Sequence, residues 1–167
     1  VWAYGKGRIA TMEKTLDSLL TILPFEPALF DQTSLPVTYV GNPLTKKIAD
    51  HSYHSNWRKV YHIPPKALII SIFPGSRKKE VQYILPILIS VSKLLSKKIR
   101  KPILFLCQVT PNQEKLVDQI LKKIPNDIKI VHKNLLGNEL TSSSNYAIIT
   151  SGTATLEYAL NGIPSIA

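Results

Sequence analysis

Five short apolar stretches, at 67–73, 103–107, 128–131, 146–150 and 164–167, alternate with longer segments of helical periodicity. This alternation constrains the fold more than any other feature of the chain. A strand that is apolar at successive positions has to be buried on both faces, and a parallel sheet covered by helices provides that environment. The spacing predicts helices over 80–96, 111–124 and 154–160 and a shorter helical connection at 135–140. The expected class is therefore α/β, with a Rossmann-like doubly wound parallel sheet, in which ligands bind beyond the carboxyl ends of the strands.

The first part of the chain is less regular. Residues 1–4 can close a strand, 6–17 carries Ile9, Met12 and Leu16 at helical spacing, and 19–23 reads as a short buried strand. Pro24-Phe25-Glu26-Pro27 opens a short helix, and a strand at 37–40 ends at Gly41-Asn42-Pro43. From 44 to 65 the composition turns polar, with His51, His54 and His62 and the pair Pro64-Pro65. These shifts read as an interdomain linker over 42–65, with residues 1–41 on one side of it and a second domain, 66–167, on the other. The chain starts at Val1 and stops inside an apolar run, so a fragment is expected, with Ile163 and Ile166 lacking evident partners.

Charge narrows the choice of partners. The net charge of +10 is clustered at Arg77-Lys78-Lys79, at Lys97-Lys98 with Arg100-Lys101, and at Lys122-Lys123. Nucleic acid, an anionic membrane surface and a phosphorylated small molecule all fit a basic chain. Nucleic acid loses support because no aromatic residues interleave with the lysines and no nucleic-acid-binding motif is present. The single Cys107 excludes an intramolecular disulfide and reads as a buried strand thiol. No apolar run approaches the ~18 residues of a membrane span. Gly5-Lys6-Gly7-Arg8-Ile9-Ala10 fits a dinucleotide fingerprint, with Glu26 at the distance of a ribose-binding acid, but a lone match reads equally as a flexible turn entering a basic helix. His51 and His54 are three apart without a third ligand, so no metal site is expected.

Two loops carry the chemistry. After the strand at 67–73, Gly75 lets the backbone approach a ligand, Ser76 offers a hydroxyl and Arg77 can fork onto a diphosphate. Glu80 is placed either to orient Arg77 or to cap the following helix. Cations at a helix start oppose its dipole, and an anion would relieve that conflict; the plain alternative is a solvated basic turn. After the strand at 146–150, Ser151, Gly152 and Thr153 present amides and hydroxyls at a second helix start, where a phosphate or an ordinary N-cap fits equally well. Glu157, one turn on, can accept from the hydroxyls of a ribose or stand as an exposed helix acid. There is no Asp-X-Asp pair, Walker loop or Gly-X-Ser-X-Gly elbow, which removes support for metal-bridged transfer, NTPase chemistry and serine hydrolysis.

In order along the chain, Val1-Trp2-Ala3-Tyr4, Leu23-Pro24-Phe25-Glu26, Pro36 to Gly41, Phe73-Pro74-Gly75-Ser76-Arg77 with Glu80 and Leu85-Pro86, and Ser151-Gly152-Thr153 through Glu157 resemble the lipid-A-disaccharide synthases. These are GT-B glycosyltransferases with two facing Rossmann-like domains. The resemblance implies the carboxy-terminal, donor-binding half of such an enzyme. It implies transfer of 2,3-diacylglucosamine from its UDP carrier to 2,3-diacylglucosamine 1-phosphate, with inversion and without metal or cofactor. By the same likeness Gly75, Ser76, Arg77, Ser151, Gly152 and Thr153 face the diphosphate and Glu157 the ribose.

The family's general base lies in the amino-terminal domain, so no catalytic residue is expected in this chain. A cytoplasmic protein peripherally associated with the inner membrane is implied, meeting an anionic membrane surface and no nucleic acid. Asn42 departs from the family pattern, which has histidine there, and Gly-Asn-Pro is instead similar to the peptidoglycan N-acetylglucosaminyltransferases. The rival readings are such an enzyme, a UDP-sugar epimerase, or a non-catalytic nucleotide or polyanion binder.

Overall fold

A computed structural model describes residues 5–50, 57–60, 62–124, 128–132 and 141–167. The chain forms two compact units, 1–50 and 51–167, dividing within the segment expected as a linker. The segments 1–4 and 135–140, together with His51 and His54, lie outside the described residues.

In the first unit, helix α1 (Ile9–Thr15) follows a 3-10 turn at Lys6–Arg8, and β1 (Leu19–Thr21) pairs in parallel with β2 (Val37–Tyr39). Carboxylates hold the connections. Glu13 accepts from the amide and hydroxyl of Ser34 at 2.7 and 2.9 Å, which lowers its pKa. Glu26 accepts from the Ile22 and Leu23 amides at 3.3 and 3.0 Å and so closes its own turn. Asn42 accepts from the Leu44 amide at 3.0 Å and caps α2 (Pro43–Ala49), which occupies the start of the polar segment. That contact gives position 42 a structural task.

The second unit holds a five-stranded parallel sheet in the order β5-β4-β3-β6-β7. Its strands are β3 (Leu68–Phe73), β4 (Ile103–Cys107), β5 (Ile130–His132), β6 (Tyr146–Ile149) and β7 (Ser165–Ile166). Helices among the described residues include α3 (Trp57–Val60), α4 (Lys78–Lys98), α5 (Glu114–Leu121) and α6 (Thr153–Leu160). The doubly wound expectation is met: the chain runs outward from β3 through β4 to β5, then returns to the opposite side of β3 for β6 and β7. The point of return, between β3 and β6, is the topological switch point.

Both faces of β3 and β4 are covered, as their composition requires. On one face Ile70, Ile72, Phe105 and Cys107 pack with Val81, Leu85 and Ile89 of α4 and Val117 of α5. On the other, Ile69, Leu104 and Leu106 pack with Ile63 and Ala67. A third cluster joins Ala147 and Ile149 of β6 to Ala154 and Tyr158 of α6. Ile163 packs against it, which corrects the expectation that this residue lacks a partner, whereas Ile166 is 71% exposed.

Helix α4 is longer than its predicted 80–96: Arg77 takes the N-cap position at one end, and at the other Lys97 and Lys98 complete the last turn before the C-cap Ile99, whose amide donates to Leu95 O. Pro86 sits inside it on the exposed face, where water can satisfy the carbonyl that loses its amide partner. The predicted helix over 111–124 divides into a 3-10 turn at Pro111–Gln113 and α5. No helix among the described residues is long and apolar enough to cross a membrane.

Leu85 is fully buried between α4 and the sheet. Leu85→Ala is expected to lower unfolding stability by about 3 kcal/mol through lost transfer energy and a residual cavity, read from denaturant titration. Burial also pushes the Cys107 thiol up to about 12. Cys107 is therefore expected to resist a thiol reagent at pH 8 until denaturant opens the sheet; fast native-state labelling would contradict its placement.

Candidate functional site

Three strands deliver their loops to one cleft. Phe73, Cys107 and Ile149 end β3, β4 and β6, and backbone bonds hold the exits together: the Gln108 amide donates to Ile72 O at 3.0 Å and the Thr150 amide to Phe73 O at 2.9 Å. Thr150 adds a second donor to Phe73 O, from its hydroxyl at 3.1 Å. The cleft, of about 430 Å³, lies at these carboxyl ends, on the switch point between β3 and β6.

The first wall is the loop after β3. Gly75 has φ +106°, a left-handed conformation that favours glycine, and a Cβ there would collide with the Glu80 side chain, meeting its Oε2 and standing 2.8 Å from its Cβ. Glu80 occupies that space because it closes the loop. Its Oε2 accepts from the Ser76 and Arg77 amides at 3.0 and 3.1 Å, and its Oε1 accepts from Arg77 Nη1 at 2.8 Å. Capping the helix and orienting the arginine, read as alternatives in the sequence, are both done by this one carboxylate.

The hydrogen bond from the Arg77 amide, then that from its guanidinium, hold the Glu80 carboxyl below the usual carboxylate range. The Arg77 side chain is 83% exposed, so its other guanidinium edge stands in solvent at the cleft. Lys78 and Lys79 begin α4 beside it, adding positive charge at a helix start.

The second wall is the loop after β6, with Ser151, Gly152, Thr153 and, one turn into α6, Glu157. Gly152 is the N-cap and has no side-chain cap, so neither Ser151 nor Thr153 serves the capping role that was the alternative reading of these hydroxyls. Thr155 Oγ1 accepts from the Gly152 amide at 3.3 Å, and a Cβ at Gly152 would meet nothing within 4 Å, which leaves the loop open on that side. Two helix starts, those of α4 and α6, thus open on the same cleft.

All seven residues singled out in the sequence, Gly75, Ser76, Arg77, Ser151, Gly152, Thr153 and Glu157, line this cleft. A third wall escaped sequence reading: Gln108, Val109 and Thr110, after β4. Position alone could have found it, since Gln108 follows directly on the apolar run 103–107 at a strand's carboxyl end. Behind it, Tyr158 of α6 is fully buried and donates from its phenol to Gln108 Oε1 at 3.0 Å. Burial raises the Tyr158 phenol to about 12, with the Ser71 and Thr141 hydroxyls pulling the other way. Elsewhere, His132 Nε2 and Asp118 Oδ1 lie 3.0 Å apart, outside the cleft. Among the described residues no group of three or more His, Cys, Asp or Glu side chains comes together.

Electrostatically the cleft joins one guanidinium, paired on one edge with the Glu80 carboxylate, two flanking lysines and two helix starts with hydroxyl donors. Such a set can hold a diphosphate, with Glu157 placed as an acceptor at its edge. Over residues 1–167 the chain matches the family model described as lipid-A-disaccharide synthetase.

Similar curated proteins include a lipid-A-disaccharide synthase of Syntrophus aciditrophicus, 32% identical across 99% of this chain and 43% of the relative. Those of a Sulfurihydrogenibium species and Persephonella marina are each 35% identical, across 99% and 98% of this chain and 46% and 45% of the relatives. The chain spans less than half the length of each of these relatives. With a match that runs the whole length of the sequence, the chain belongs to the lipid-A-disaccharide synthetase family.

Proposed function

We propose that the second unit binds the UDP part of a sugar nucleotide, and that the full-length protein transfers 2,3-diacylglucosamine from it to 2,3-diacylglucosamine 1-phosphate. The observation that carries this reading is the convergence of 75–77 and 151–153 on one cleft at the switch point, with two helix starts opening into it. Family membership supports the acylated sugar as the transferred group. As the bond between sugar and UDP breaks, negative charge grows on the leaving diphosphate. This reading gives its stabilisation to Arg77, to the amides and hydroxyls of 151–153, and to the helix ends, with Lys78 and Lys79 raising the potential. Glu157 accepts from the ribose hydroxyls.

Residues 66–167 are then the donor domain, 42–65 the linker and 1–41 the tail of an acceptor domain that carries the general base. The acceptor and donor are acylated, so the reading includes peripheral contact with an anionic membrane on the cytoplasmic side, to which the +10 charge contributes attraction.

Calorimetric titration of the full-length protein with UDP, NAD and a single-stranded oligonucleotide tests the proposal. Binding of UDP in preference to the others is expected, and binding of the oligonucleotide alone would overturn it. Replacing the exposed fork, Arg77→Ala, is expected to weaken UDP binding by about tenfold with an unchanged circular dichroism spectrum. Unchanged affinity would return Arg77 to an ordinary solvated surface.

A further inference from the structure

Beside the two loops that the sequence points to, the exit of β4 presents polar groups that no step above uses. Gln108 lines the cleft next to the Gly75–Arg77 wall, because β4 is the neighbour of β3. Its amide has one acceptor end and one donor end, and the structure shows which of them Tyr158 engages. The acceptor end, Oε1, receives the Tyr158 phenol at 3.0 Å. That phenol is fully buried and stays protonated at neutral pH, so its single proton needs an acceptor inside the protein. In the structure that acceptor is Gln108 Oε1. With Oε1 taken up by Tyr158, the two N–H groups of Nε2 are the part of this cleft-lining amide left for a ligand. Two residues on, Thr110 also lines the cleft, and its hydroxyl is buried without a hydrogen-bond partner. The loop therefore leaves the Gln108 amide as a neutral donor group beside the wall that carries Arg77.

Resting on the UDP-sugar reading, we propose that Gln108 is a third diphosphate-binding residue, donating from Nε2 to a phosphate oxygen, and that Tyr158 is the positioning residue that sets its orientation. Tyr158 touches no ligand. It acts from the buried side of α6, so the helix whose start forms one wall also orients the side chain of another. A neutral donor pinned in this way adds a directed hydrogen bond to the anion without adding charge to a cleft that already carries Arg77, with Lys78 and Lys79 beside it.

The test uses the full-length protein and measures UDP and uridine affinities by calorimetry. Gln108→Glu keeps an acceptor for Tyr158 and replaces the cleft-facing N–H groups by a carboxylate oxygen. It is expected to weaken UDP by about tenfold or more and to leave uridine, which has no phosphate, unchanged. Equal losses for both ligands, or none, would overturn the assignment. Tyr158→Phe keeps the ring and removes the pinning proton; a loss of about threefold for UDP is expected in the wild-type background. In a Gln108→Ala background the same change should have no further effect, whereas an equal loss there would make Tyr158 merely structural. Should Tyr158→Phe fail to fold, the Gln108→Glu comparison decides alone. If the parent protein binds UDP and loses it on Arg77→Ala while Gln108→Glu binds normally, only the Gln108 assignment falls; if the parent does not bind UDP, the donor-site reading falls and takes this one with it.

Discussion

Everything in the second unit depends on the parallel pairing of β3 with a neighbour on each side. A strand flanked by β4 and β6 and covered on both faces has no polar exposure to satisfy, which is why Ile69 and Ile72 can be fully buried together. Parallel pairing also forces each connection to cross back over the sheet, so all the strand exits fall on one edge. The polar residues that the strands cannot accommodate collect there. Gly75, Gln108 and Ser151 are each the first or second residue to leave an apolar strand and its immediate exit, and the cleft is the place where those exits meet.

Within that edge the elements support one another through hidden contacts. The Ser71 and Ser144 hydroxyls meet at 2.6 Å in the buried layer, and the Asn145 side chain accepts from the Ile69 amide at 2.9 Å, so the segment leading into β6 is locked to β3 before the loop begins. Tyr158 continues the same layer from α6 to Gln108. Polar groups placed this deep are costly unless paired, and once paired they admit few arrangements. That gives the cleft walls fixed positions although their outer side chains, such as Arg77, remain exposed.

What the sequence made legible follows the range of each interaction. Strand and helix order was readable because apolar runs and helical periodicity are local signals, and the seven cleft residues were readable because they sit in two compact loops with a glycine, hydroxyls and charge. Glu80 could be seen to have two possible tasks three residues from Arg77, but only coordinates show both oxygens engaged at once. Gln108 could be placed at a strand exit, but its bond to Tyr158 could not be read: that partner is fifty residues away, on an element whose facing residue no periodicity identifies. The extension of α4 to Lys78 was missed for a related reason, since three basic residues at a helix start argue against helix until Glu80 is seen returning to the loop. Ile163 was misjudged because its cover comes from α6 on its own side of the sheet and not from a further strand.

The contact between Gly75 and Glu80 has a consequence for how this loop can change over generations. A side chain at 75 is blocked by the carboxylate, and loss of the carboxylate releases the two amides and the guanidinium that it gathers. Neither position can drift by itself without undoing the other, so the two behave as one heritable unit. The side chains of Lys78 and Lys79 are exposed and stand outside the bracket, so single-step variation in the β3 exit that leaves it closed is directed to them.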